Sequence, residues 1–384
     1  MNAAAFTVGS LSQAMERIAP TSMAESWDRV GLLVGDATRE LAGPVLLTID
    51  LTPSGMDEAI RANASAIIAY HPPIWDPLKR VTSSNAYESV ILRAIESKMA
   101  IYSPHTALDA VPGGVADWLC RALTKDGDAK HAGDCRALRP HGEIPSTQQA
   151  KIVTFLPMKD VDRVREALAS AGAGIVGAYR MCSFETQGYG TFFGVEGSKP
   201  SIGEAGRLER VAEVRLEMVC SKAAIALAVE TMRSFHPYEE PGIEVHELHA
   251  IPDRSTGPGR RIVLDTPVTV RELAERIKRF LNLGDVRIAL AGEDRPVSSI
   301  GVCPGSGGSL VGLAKAEGCQ VYFTGEMDHH AVKSTVLGGM SVILAGHTNT
   351  ERGFLPVLAE KLRAGGVRIP ILIAQSDRDP LITV

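Results

Sequence analysis

His71, His105, Asp109, His347 and Glu351 each follow an apolar run of the chain, in AIIAYHPP, AIYSPHTALD and SVILAGHTNTERG. Imidazole nitrogens and carboxylate oxygens together suit a divalent cation such as zinc, manganese, iron or nickel, and a bridging carboxylate can hold two ions. In open α/β sheets ligands bind beyond the carboxyl ends of the strands, so polar residues at these positions are candidates for one shared metal site. His347 and Glu351 stand four residues apart. A helix starting near Thr350 puts the Glu in its first turn and the His on the loop leading in, so that both can face one ion. Each residue also has a plainer reading. His71 before Pro72 and Pro73 could be a hydrogen-bonded loop residue, Asp109 could cap a helix starting near Pro112, and Glu351 could favour a helix N-terminus. Three strand ends carrying His or carboxylate together favour the metal reading.

The stretch TGEMDHHAV adds Glu326, His329 and His330 after a further strand. Glu326 or His330 could support the site or move protons, but adjacent helical residues point in different directions, so both histidines cannot do so. GVCPGSGGSLVG, residues 301–312, reads as a strand, a Gly-rich turn and a helix start. It lacks the GK[ST] ending of a P-loop, and Leu310 takes the place of the third glycine of GxGxxG, so a tight turn is favoured over a phosphate cradle. His236, in SFHPYEEP, reads as structural or interfacial.

The elements that position these residues follow from periodicity. Apolar runs at Val45 to Ile49, Ala66 to Ala69 and Ala100 to Tyr102 alternate with helical stretches at Pro53 to Asn63 and Ala86 to Ser97, which is βαβ logic and a mostly parallel sheet. Residues 125–149 are polar and aperiodic and read as a connection. From Lys151, KIVTFLP, VDRVREALASAG, GIVGAYRMCSFE, GYGTFFGVEG, VRLEMVC, AAIALAVETMRSF and IEVHELHA read as a ferredoxin-like α+β unit with an additional strand. After the breaker-rich IPDRSTGPGRR, strand and helix alternate again to the C-terminus. The expected architecture is an α/β domain built from residues 1–128 and 258–384, with residues 150–252 inserted as a separate α+β domain.

Composition sets the frame. The chain has 384 residues, too many for one ordinary core, with 45% hydrophobic and 22% charged residues, so two or three packed domains are expected. A net charge of −5 argues against nucleic acid as a partner. No apolar run approaches the ~18 residues of a membrane span, and the N-terminus lacks a signal pattern, so no membrane partner and a cytoplasmic location are expected. Six cysteines are scattered without CxxC pairs and read as free thiols.

The segments ESWDRVGLLVGD, AYHPPIW, SPHTALDAVPGGVADWL, VCPGSGGSL, YFTGEMDHH and AGHTNTERGF together resemble the GTP cyclohydrolase 1 type 2 homologue family, also called NIF-three-like proteins. The resemblance covers both flanking parts, and the middle resembles the PII-like or CutA-like insert of the longer bacterial members. It implies a dinuclear metal centre in a toroidal homohexamer. His71, Asp109, His347 and Glu351 match ligand positions, and His105 matches a residue lining or joining the site. Tyr70 stands where the family's His-His-Pro has its first His, and Thr348 replaces the second His of Gly-His-His. A neutral phenol is a poor ligand, so the resemblance implies one or two ions here.

The family name implies GTP ring opening, in which hydroxide attacks C8 of the guanine, the imidazole ring opens and formate leaves. The expected function is a metal-dependent hydrolase acting on GTP, another nucleotide or a small-molecule substrate, with His105, Glu326 or His330 moving protons. The alternative is a metal-binding hexameric scaffold or regulator whose PII-like insert senses a small molecule.

Overall fold

The computed structural model describes residues 5–125 and 134–381. The chain divides into two compact units, residues 1–141 with 253–384, and residues 142–252.

The first unit holds two sheets, where sequence periodicity suggested one. The five-stranded sheet runs Gly31–Val34, Ala100–Ser103, Ala66–Ala69, Val45–Thr48, Ile371–Ile373 in spatial order, parallel except for Gly31–Val34. Its three central strands are buried at every position, as expected of parallel strands covered on both faces. Successive side chains alternate between faces. Leu46, Ile67 and Ile101 pack with Met56, Ala59, Val90 and Ile91 of the helices Pro53–Arg61 and Ala86–Glu96. Leu47, Ile68 and Tyr102 enter the larger core.

The six-stranded sheet runs Arg287–Ala289, Ser341–Leu344, Val321–Glu326, Val297–Ser306, Arg260–Val268, Cys135–Ala137. Its Val297–Ser306, Val321–Glu326 and Ser341–Leu344 strands are parallel to one another. Ile262, Ile300, Phe323 and Ile343 of this sheet share one buried cluster with Leu47 and Ile68 of the other, filled in by Leu119 and Leu358 from the helices Val115–Arg121 and Leu355–Ala364. Arg260 ties the two chain segments together. Its guanidinium is buried, pairs with Asp117 and donates to the carbonyls of Ala110, Gly257 and Gly259.

Several elements differ from the sequence reading. Arg260–Val268 is a strand although its start falls in a breaker-rich stretch, and Cys135–Ala137, inside the expected connection, pairs with it. Asp109 does not cap the next helix. It lies within the helix His105–Ala110, and Val115–Arg121 starts after Gly114 with no side-chain cap.

The second unit is a four-stranded antiparallel sheet of Ala150–Leu156, Phe184–Phe193, Leu208–Cys220 and Ile243–Glu247, with helices Val161–Ser170 and Ile225–Phe235. Spatial order is fourth, first, third, second, the βαββαβ arrangement. The two strands expected in GIVGAYRMCSFE and GYGTFFGVEG are a single strand, Phe184–Phe193: before it only Val176 and Tyr179 bridge, and Gly174 and Gly177 take positive φ, which breaks an extended path.

Candidate metal centre

The carboxyl ends of both sheets in the first unit contribute to one group of side chains. After Ala66–Ala69 the ladder runs on, with the Tyr70 and His71 amides donating to the carbonyls of Thr48 and Ile49. Pro72 and Pro73 then have no amide hydrogen to offer, and the strand stops with His71 at its end. In the second sheet Ala345 and Gly346 likewise extend the ladder onto Thr324 and Gly325 before His347. A single helical turn, Asn349–Arg352, follows and carries Glu351. Thr350, fully buried, locks this corner. Its hydroxyl donates to the His347 carbonyl at 2.7 Å and accepts the Gly305 amide at 2.9 Å.

Ligand atoms of His71, His347 and Glu351 all lie within 4.8 Å of one another. Nε2 of His71 is 3.4 Å from Oε2 of Glu351, and Nε2 of His347 is 3.5 Å from Oε1. Each ring is fixed from behind by a carboxylate, His71 Nδ1 by Asp50 and His347 Nδ1 by Glu326, both at 2.9 Å. An ionised carboxylate only accepts, so each Nδ1 carries the proton and each Nε2 is left to the Glu351 side. Carboxylates behind histidines in this way orient metal ligands and raise their basicity.

The residues fit a divalent cation on three counts. Oε2 of Glu351 is buried and lacks a hydrogen-bond partner, a costly condition for a carboxylate. A Cβ built on Gly305, whose φ is +59°, would fall 2.6 Å from Oε1 of Glu351 and 3.0 Å from Nε2 of His347, so glycine there keeps open the space both atoms face. Lastly, two imidazoles and a carboxylate are the donor set that zinc and its neighbours accept. Burial lowers the His71 pKa, but the bond to Asp50 and the Glu351 carboxylate beside Nε2 outweigh it and push the value up to about 10. The cluster therefore demands positive charge, as a proton or as an ion.

The other expected residues surround this group. Asp109 lies outside the 4.8 Å cluster, and its Oδ1 accepts the Tyr70 hydroxyl at 2.5 Å. Burial raises the Asp109 carboxyl to about 7 against the lowering effect of that bond. Tyr70 is itself buried, and burial together with the Asp109 and Glu351 charges keeps its phenol neutral, so it serves as a donor to Asp109. His105 lies with its ring 5.3 Å from that of His71, and its Nδ1 is 2.7 Å from Asp28. Against the upward push of burial, His105 and Thr106 hold the Asp28 carboxyl below its ordinary value. Glu326 sits behind His347 and orients it. His330 is exposed on the first turn of the helix His329–Leu337, its ring against His329 at 5.5 Å.

Asp28, Asp50, Gly305 and Thr350 are the residues the sequence reading did not assign. Asp50 follows the run VLLTI and meets the same strand-end criterion as His71. Asp28 sits in an irregular segment with no periodicity, so only its place in the ESWDRVG motif marks it. Residues 301–312 run from the end of a strand through a single 3-10 turn at Gly308–Leu310 into a helix, and Gly305 leaves room there for Glu351 and His347.

No helix among the described residues is long and apolar enough to cross a membrane. The described cysteines are free.

A two-sheet α/β unit with histidines and a buried carboxylate at its joined strand ends defines the class, and comparison with known proteins places it. The family model Duf34/NIF3 (NGG1p interacting factor 3) matches residues 6–380. The chain is 33% identical over 335 residues to the GTP cyclohydrolase 1 type 2 homolog of Bacillus subtilis (strain 168), covering 87% of this chain and 86% of that one. It is 35% identical over 381 residues to NIF3-like protein 1 of Bos taurus, covering 97% and 91%. The crystal structure of a Bacillus cereus protein related to NIF3 superposes with a TM-score of 0.63 at 32% identity, covering 98% and 99%. The chain belongs to the Duf34/NIF3 family.

Proposed function

We propose that this protein is a metal-dependent hydrolase in which His71, His347 and Glu351 hold a divalent cation, and that its reaction is the opening of the GTP imidazole ring with release of formate, or a related nucleotide hydrolysis. The observation that carries the metal reading is the buried Glu351 carboxylate between two imidazole nitrogens whose rings are pinned from behind. The relatives named as GTP cyclohydrolase 1 type 2 homologs support the choice of reaction. A bound ion would make hydroxide available near neutral pH and stabilise negative charge developing on the substrate. Asp50 and Glu326 orient the two imidazoles. His105, with Nδ1 bound to Asp28, has Nε2 free to accept a proton or donate one within reach of a substrate beside His71. Asp109, raised to about 7, is protonated or ionised near neutral pH and is the second candidate for proton transfer. Zinc, manganese, iron and nickel all suit the donors. A second ion would need Asp109, which Tyr70 already engages, so one ion at the triad is the reading we adopt over a dinuclear centre. A cytoplasmic homohexamer is the assembly we propose on the family resemblance. Metal analysis followed by a formate assay with GTP tests the proposal: formate release that disappears in Glu351→Ala supports it, and a metal-loaded protein that turns over no nucleotide removes the hydrolase.

One observation favours a second reading, a metal-binding regulator. The unit of residues 142–252 has the ferredoxin-like strand order and carries a cavity of about 700 Å³ lined by Phe155, Tyr189, Arg215 and Tyr238 among others. Its size falls in the range of small-molecule sites. Metal without turnover, together with a ligand captured in this cavity, would favour that reading.

A further inference from the structure

Two tryptophans stand beside His105, and the metal reading uses neither. Trp27 and Trp75 are 52% and 50% exposed, with ring centroids 5.7 Å apart and planes tilted by 46°. The His105 ring lies 6.1 Å from Trp27 and 5.8 Å from Trp75, and 5.3 Å from His71. The third tryptophan of the chain, Trp118, is buried in the core.

Both exposed rings sit on backbone tied to buried parts of the fold. On one side of Trp27, the Glu25 amide donates to Thr106 Oγ1 at 3.0 Å. On the other, the Asp28 carboxylate receives the Thr106 amide and hydroxyl and pairs with His105. The Trp27 segment is thus clamped to the start of the His105–Ala110 helix. Trp75 follows Pro72 and Pro73, and Ile74 between packs against the core. His105 itself has φ +31°, a conformation that a non-glycine residue keeps only where its surroundings enforce it, and such residues concentrate at functional sites. What sets these two rings apart from singly exposed apolar residues is that they adjoin one another and His105, a contiguous apolar patch of the kind that marks a binding groove.

We propose that Trp27, Trp75 and His105 form an aromatic clamp that stacks the planar heteroaromatic base of the substrate beside the triad. The proposal rests on the nucleotide reading above and goes beyond it by assigning which residues recognise the base. An aromatic wall grips a π-face by stacking, so the ring of the ligand, and not its phosphates, supplies the contact. The arrangement places a stacked base next to the side chains that would act on it.

The test is a fluorescence titration of the full chain with 7-deaza-GTP, a purine analogue in which the N7 of the imidazole ring is carbon, so that binding is read without ring opening. Its Trp emission should fall saturably, and Trp75→Ala and Trp27→Ala should each weaken binding about tenfold, the size of one stacking contact. Trp75→Phe should restore most of the affinity, because a flat ring is retained. Inorganic triphosphate, which has no ring, should produce no comparable quench. Absence of a quench with the purine, an equal response to triphosphate, or unchanged affinity in both alanine variants overturns the clamp. So does a change of oligomeric mass in those variants, which would make the rings a contact between subunits. Metal content and formate release are measured separately on the same preparations, so failure of the clamp and failure of the hydrolase reading give different results.

Discussion

Nε2 of His71 faces Oε2 of Glu351 at 3.4 Å, and that oxygen is buried without a hydrogen-bond partner. A positive charge between them would satisfy that oxygen, and the identity of that charge depends on pH. In metal-free protein it is a proton on His71, whose value rises from 6.5 to about 10: burial opposes the rise, but Asp50 and Glu351 outweigh it. Because the folded value lies above the unfolded one, the resulting stability is fully present below about pH 6.5 and is lost as pH climbs through about 10. Metal binding needs the neutral ring and runs the other way. Thermal midpoints of chelator-treated protein should therefore fall between about pH 6.5 and about pH 10, while metal affinity rises over the same window. In His71→Asn the fall should flatten; an unchanged slope would show that His71 is not the titrating group.

Asp109 contributes with the same sign in a lower window. Burial raises its carboxyl from 3.8 to about 7 against the Tyr70 bond, so its stabilising share is present below about pH 4 and gone above about pH 7. Asp109→Asn should remove that part of the pH dependence and make metal-free protein more stable at about pH 8. Denaturant titrations at both ends of the window check this.

Asp50→Asn and Glu326→Gln leave the triad itself intact and remove only what stands behind each imidazole. Each should weaken metal binding by roughly 10- to 100-fold. Competition with a chromogenic chelator measures it, and wild-type affinity in both variants would show that the two carboxylates do not orient the rings.

Gly305→Ala puts a methyl group between Oε1 of Glu351 and Nε2 of His347, at a residue with φ +59°. We expect loss of stoichiometric metal binding, together with a fold destabilised by about 1 to 2 kcal/mol from the left-handed backbone alone. Urea denaturation of metal-free protein separates the two effects.

Tyr70 occupies Asp109 by hydrogen bonding, and His71, His347 and Glu351 are the one complete ligand group among the described residues. Tyr70→His would free Asp109 and supply another imidazole, and should raise the metal content from about one ion per chain toward two, the count a dinuclear site requires. A content unchanged in the variant would show that Tyr70 does not limit the site.

How much of this could be read from the sequence depends on the range of the signal. Strands such as Ala66–Ala69 and Ser341–Leu344 are continuous apolar runs, and the residues just beyond them are visible because a single rule places them. The helical turn carrying Glu351 falls where the spacing from His347 suggests, at Asn349–Arg352. What the sequence conceals is pairing. Arg260–Val268 starts amid glycines and arginines, and its strand character comes from Val297–Ser306 on one side and Cys135–Ala137 on the other. Ile371–Ile373, three residues long, joins a sheet whose other strands lie more than 250 residues earlier, because Val45–Leu47 offers it an edge. The division into two sheets, and hence the meeting of two sets of strand ends, follows from such long-range pairing. The same holds for Asp109: its position after a strand is legible, but its capture by Tyr70 depends on a helix, His105–Ala110, that folds back beside the neighbouring strand end.

The most direct measurement is anomalous diffraction from crystals of the metal-loaded protein, collected on both sides of the absorption edge of the bound metal. The account predicts one strong peak within coordination distance of Nε2 of His71, Nε2 of His347 and a carboxylate oxygen of Glu351, absent in Glu351→Ala. Metal-replete crystals with no peak at these three side chains, or with the ion bound elsewhere, would contradict it.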